Sequence, residues 1–167
     1  MRQDKVLVAT REMVALEKAC LYLVEKDKNV LPPVINALEI SKTLDSHQKL
    51  TDGQKAALKL ILTNKDRVIG IQGVAGAGKT TLLRTLNREA RSAGYELLGL
   101  SNSTAARQRL QMGSQDLSSE EHFLKSGIES LTTRKFLMKA EKLLKKDENL
   151  ARLEYGGNRM LILDEAS

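Results

Sequence analysis

Between Gly73 and Thr81 the chain reads Gly-Val-Ala-Gly-Ala-Gly-Lys-Thr-Thr, which fits the phosphate-binding spacing G-x-x-x-x-G-K-[ST]. A polyphosphate needs several N–H donors converging on it, so the backbone must turn tightly with no Cβ in the way. Gly73, Gly76 and Gly78 permit that turn, and Val74, Ala75 and Ala77 complete the loop. Lys79 is placed to reach the β- and γ-phosphates as a point charge, and the Thr80 hydroxyl to ligate Mg²⁺. Thr81 continues into a helix whose positive end faces the anion. The run predicts a site for a nucleoside triphosphate with its magnesium ion.

Three further groups carry candidate chemistry. Met160 to Ser167 is an apolar strand that ends in adjacent acids, the form of a Walker B segment. There Asp164 would hold Mg²⁺ through water and Glu165 would polarise the attacking water as general base. Gln54 lies one helix before the loop, where its amide can meet adenine with one donor and one acceptor. The T-x-x-Q spacing of Thr51 and Gln54 is equally that of a capping box, which would account for Gln54 as helix-end chemistry. Ser101, Asn102, Ser103 and Thr104 place hydroxyls and an amide at a helix start, where they can hold nucleic-acid phosphates or simply cap the helix. Guanine recognition finds little support, because Asn64-Lys65-Asp66 has its acid one position early for N-K-x-D and precedes the loop.

The elements that must position these residues can be read from periodicity. Apolar residues at Met13, Leu16, Cys20, Leu23 and Val24 mark one face of a helix over Thr10 to Lys28, with Cys20 expected in a core. A second short helix is expected around Val34 to Ile40, between Pro32-Pro33 and a polar stretch from Ser41 to Lys49. Then follow a helix (52–63), a strand (67–72), the loop, a helix (80–93), a strand (96–101) and a helix (104–111). Residues 115–155 read as charged and mostly helical, with Leu124, Ile128, Leu131, Phe136, Leu143 and Leu144 as candidate buried positions. The alternation predicts an α/β fold with a parallel sheet and right-handed crossovers. Residues 1–49 are expected to form a helical N-terminal extension and residues 50–167 a P-loop ATPase domain.

Composition sets outer bounds. The 167 residues hold 27 Lys and Arg against 21 Asp and Glu, a net charge of +6 that suits nucleic acid and plain solubility alike. With three Tyr, two Phe and no Trp, the chain has few rings on which single-stranded bases could stack, so DNA contact within it is expected to be weak. No leader-like or membrane-spanning run is seen, and a cytoplasmic location is expected.

Taken together, LTDGQKAAL, DRVIGIQGVAGAGKTTLL, LGLSNSTAARQRL and LILDEAS resemble the early motifs of superfamily 1 DNA helicases of the RecD-like type. More narrowly they resemble the helicase portion of conjugative relaxases, from about Thr10 onward. The resemblance implies a RecA-like sheet, ATP with Mg²⁺, and translocation on single-stranded DNA. It puts Gln54 in the adenine-recognising motif, Ser101 to Ala106 in motif Ia, and Asp164 with Glu165 in motif II. The family's motif Ia usually has a Pro-Thr-Gly-like core, where Asn102-Ser103-Thr104 stands here. The sequence stops after motif II, without motif III or an arginine finger. A RecA-like sheet sets the strand that follows motif II between the P-loop strand and the motif II strand, so the sheet is expected to be incomplete and the isolated chain marginally stable and inactive alone. A remnant serving as a nucleotide-binding interaction module, and another kind of P-loop ATPase, are the alternatives.

Overall fold

The computed structural model describes residues 9–74, 76–120, 122–149, 154 and 156–164. Three helices precede the glycine-rich loop: α1 (Arg11–Lys26), α2 (Glu39–Ser46) and α3 (Asp52–Thr63). After it come α4 (Lys79–Ser92), β1 (Glu96–Ser101), α5 (Thr104–Gly113), α6 (His122–Ser126), β2 (Glu129–Thr132), α7 (Thr133–Lys146) and β3 (Arg159–Asp164). The three strands form one parallel sheet in the order β2-β1-β3. An α/β architecture with a parallel sheet is therefore what the chain adopts, and the sheet is not closed.

The core follows from helical spacing. In α4, Leu82, Leu86 and Ala90 recur every fourth residue and are buried, so one stripe of the helix faces inward. They pack with Leu58 and Leu62 of α3, Ile40 of α2, Leu50, Leu97 of β1 and Ile128 in a single cluster. Each leucine buried this way contributes about 1.5–3 kcal/mol relative to exposure. Residues before position 50 thus share the core on which the loop's helix rests. His47 Nε2 and Glu89 Oε1, 2.8 Å apart, join the end of α2 to α4 over that cluster.

β1 is paired on both edges, Leu98 to Ser101 with Glu129 to Thr132 and Glu96 to Ser101 with Arg159 to Asp164. It is accordingly buried along nearly its whole length, as a central parallel strand should be. The registers bring Ser101, Thr132 and Asp164 side by side at the carboxyl ends of the three strands.

Four expectations are corrected. Residues 67–72 form no strand; a β-branched run becomes one only where a neighbour takes its ladder hydrogen bonds, and none does so among the described residues. The backbone pairs at that segment's start lead instead to the N-terminal region, from Arg67 N to Asp27 O and from Leu31 N to Lys65 O, both 2.9 Å. The second helix runs through the polar stretch, over Glu39–Ser46, because the Asn36 side chain accepts from Leu38 N and Glu39 N and so starts it later. β2 lies where helix was expected: four residues suffice for a strand because β1 offers them a free edge. Lastly, α1 has no buried residue, and Cys20 with Met13, Leu16 and Leu23 is exposed. Periodicity identifies a face that can be buried without supplying the partner. Of the later positions, Leu124 and Ile128 are buried, Leu131, Phe136 and Leu143 are half-buried, and Leu144 is exposed.

Candidate nucleotide site

The loop is built from the α4 end. Gly76 and Gly78 adopt φ of 78° and 76°, a left-handed backbone in which a side chain is strained. Gly78 is the N-cap of α4, and no side chain caps the helix there. The first-turn N–H groups of α4 are therefore left to meet an anion, with the positive end of the helix dipole behind them. At Gly73 an added Cβ would meet only ordinary contacts, Ala77 Cβ at 3.6 Å and the Lys79 stem at 3.8 Å. The Lys79 side chain thus lies back across the loop, and its exposed ammonium has no ion-pair partner among the described residues. Val74 is exposed, Ala77 N donates to Val74 O at 3.2 Å, and Thr80 and Thr81 are exposed on the first turn. Ala75 lies outside the described residues. Open donors, an unpaired cation and a left-handed glycine turn fit a polyphosphate.

Gln54 stands against this loop. Its Nε2 lies 3.2 Å from both Ala77 O and Gly78 O, while Oε1 accepts from Thr51 N at 3.0 Å. The capping box with Thr51 is complete in both directions. On the opposite side, Thr80 packs against the end of α5, where a Cβ at Gly113 would come within 2.8 Å of Thr80 Cγ2. Arg84 Nη2 reaches Gly113 O at 3.5 Å. Sequence reading missed the neighbours Gly113 and Arg84, because nothing local marks a contact made across two helices.

The remaining candidates fall at the sheet's carboxyl edge. Asp164 ends β3 opposite Ser101, and among the described residues no hydrogen bond or ion pair joins it to the loop or to Thr80. Glu165 lies outside the described residues. Ser101 is buried and its hydroxyl donates to Ser103 O at 3.1 Å. Ser103 caps α5, its Oγ accepting from Ala106 N at 3.1 Å, so the capping chemistry of this segment is realised. Asn102 and Thr104 are exposed beside it.

The chain is 30% identical over 95 residues to the conjugal transfer protein TraA of Agrobacterium fabrum, covering 54% of this chain and 8% of that protein. It is 34% identical over 80 residues to the multifunctional conjugation protein TraI of Escherichia coli K12, covering 48% of this chain and 4% of that protein. The chain thus spans less than a tenth of the length of these curated relatives. No solved structure gives a significant match. No helix among the described residues is long and apolar enough to cross a membrane. Residues 49–167 match the AAA domain family, and that match covers the loop, α4 and the whole sheet. These likenesses agree with the resemblance to the ATPase portion of conjugative relaxase/helicases that the motifs carry, and the chain belongs to the AAA domain family.

Proposed function

We propose that this chain binds Mg·ATP at Gly73–Thr81 and is the ATP-hydrolysing part of a helicase that moves on single-stranded DNA during conjugative transfer. The observation that carries the reading is the uncapped α4 terminus behind two left-handed glycines, with the Lys79 ammonium free to meet phosphate. In this reading the N–H groups of the loop and of the first α4 turn hold the phosphates, and Lys79 neutralises the outer ones. Thr80 and Asp164 are the residues that would hold Mg²⁺, which supplies charge stabilisation as the terminal phosphoryl group is transferred to water. Glu165 takes the proton of that water. Asn102 and Thr104, exposed at the carboxyl end of β1, are the members of their segment left to face DNA phosphates, with Ser101 and Ser103 shaping the turn.

The decisive comparison is calorimetric titration of the 167-residue chain and of Lys79→Ala with Mg·ATP. The parent is expected to bind, and Lys79→Ala to show no measurable heat, since it loses the loop's cation for the phosphates. Equal binding by the two proteins would show that the glycine-rich loop is not the nucleotide site.

A further inference from the structure

We propose that Gln54 is a positioning residue for the phosphate-binding loop, acting on the direction of the loop's peptide planes and not on a base. This deepens the nucleotide-site reading and rests on it. The Gln54 amide is engaged at both ends: its oxygen takes the Thr51 N–H, and its nitrogen faces the carbonyls of Ala77 and Gly78. The orientation of the amide is fixed by this set, because the reverse orientation would set an oxygen against two carbonyl oxygens and a nitrogen against an N–H. Reading adenine bidentately would require the amide nitrogen to give up at least one of its two bonds to the loop.

What the bonds accomplish follows from peptide geometry. In a trans peptide the C=O of one residue and the N–H of the next point in opposite directions. Drawing Ala77 O toward α3 therefore turns Gly78 N–H away from α3; Gly78 O is shared with Leu82 N at 3.1 Å, so there the amide reinforces a direction that α4 already gives the Lys79 N–H. Those two N–H groups lie at the mouth of α4, where a phosphate would sit. Gln54 sets the first of these directions and reinforces the second before any ligand arrives, so part of the ordering cost of the loop is met during folding and not on binding. A second feature matches this role. A Cβ at Gly78 would fall 2.2 Å from Gln54 Nε2, so the glycine makes room for the amide as well as for the turn.

The test separates phosphate from base. The 167-residue chain, Gln54→Ala and Thr51→Ala are titrated with Mg·ATP, Mg·GTP and magnesium tripolyphosphate. Thr51→Ala weakens the same helix cap while leaving the Gln54 contacts to the loop, and so reports what loss of helix stability alone does. Loss of the two loop bonds should weaken ATP and tripolyphosphate by the same factor, about 5- to 10-fold, and leave the ATP-to-GTP ratio unchanged. Thr51→Ala should bind tripolyphosphate as the parent does. If Gln54→Ala fails to melt cooperatively, Gln54→Met keeps side-chain length and helix propensity without the bonds, and is read in the same way. Undiminished tripolyphosphate affinity, with loss confined to the preference for ATP over GTP, would make Gln54 a base reader and overturn the proposal. A parent chain that binds neither ATP nor tripolyphosphate would overturn the nucleotide-site reading itself, and the positioning role with it.

Discussion

Gly78 is the residue on which the geometry of the loop converges, since it starts α4, takes a left-handed φ of 76° and lies under the Gln54 amide. Gly76 shares the backbone strain, with φ 78°, but a Cβ there would meet nothing within 4 Å. The two alanine variants therefore divide one effect into parts. Gly76→Ala should cost about 1–2 kcal/mol, the strain of a side chain in left-handed backbone. Gly78→Ala should cost more by roughly 1–2 kcal/mol, because the methyl also expels Gln54 and takes the amide donor from Ala77 O, while Gly78 O keeps the Leu82 N–H. Urea denaturation midpoints of the two variants measure the difference, and equal midpoints would mean that Gln54 contributes nothing to holding the loop. The glycine pattern was legible in the sequence because backbone freedom is a local property. The double use of Gln54 was not: T-x-x-Q spelled the cap, while the bond to Ala77 and Gly78 depends on how α3 docks, which no local spacing encodes.

Among elements, the connection from α5 to α6 is fixed to α4 by one carboxylate. Asp116 accepts from Ser118 N at 3.2 Å and Ser118 Oγ at 2.6 Å, receives the Arg88 guanidinium, and donates its own N–H to Leu124 O at 2.7 Å. The Ser118 hydroxyl first, and then the Arg88 charge and the Ser118 N–H, hold its carboxyl below the usual range, against the opposing effect of burial. A carboxyl depressed by folding stabilises the native state at pH values above its unfolded pKa of about 3.9, and that stabilisation is lost as pH falls through the lower folded value. Asp116→Asn should thus lower stability by about 1 kcal/mol at neutral pH, with the gap to the parent closing below about pH 4. Denaturation midpoints of both proteins across pH 3 to 7 check this; a gap that stays constant would mean that the carboxylate charge is not what ties α5 to α4. Elements with strong local signals, such as α3, α4 and β1, were readable to within a residue or so, because caps and apolar periodicity are written in contiguous sequence. β2 and the segment 67–72 were misread in opposite directions for one reason. A strand exists only through a neighbour, and the neighbour is distant in sequence: β1 accepts Glu129–Thr132, whereas the β-branched run before the loop has no ladder partner among the described residues.

At the scale of the whole molecule, the candidate site spans parts of unequal order. One contiguous cluster ties α2, α3, α4 and β1 together, so the helix that carries Lys79 stands on firm packing. The run leading to it does not: Val68, Ile71 and Val74 are 53%, 41% and 79% exposed. It is held at its start by the Arg67–Asp27 ion pair at 3.0 Å and by Asn29 N donating to Asp66 Oδ1 at 2.8 Å, and at its end by α4. A segment pinned at both ends and loosely packed between them is open at low free-energy cost, and a ligand that bridges its N–H groups should tighten it along with the core beneath. Ligand binding to the native state alone raises stability by RT ln(1 + [L]/Kd), about 2.7 kcal/mol at a hundredfold excess over Kd. For a chain of this size that corresponds to a rise in melting temperature of about 5–10 °C. Thermal unfolding of the 167-residue chain should therefore be cooperative, shift upward by that amount as Mg·ATP is added, and show no shift in Lys79→Ala. A cooperative transition that ignores Mg·ATP would leave a folded protein whose loop holds no nucleotide. Absence of any cooperative transition would mean that the β3 edge and the run before the loop, which has no ladder partner among the described residues, cost more than the shared core supplies.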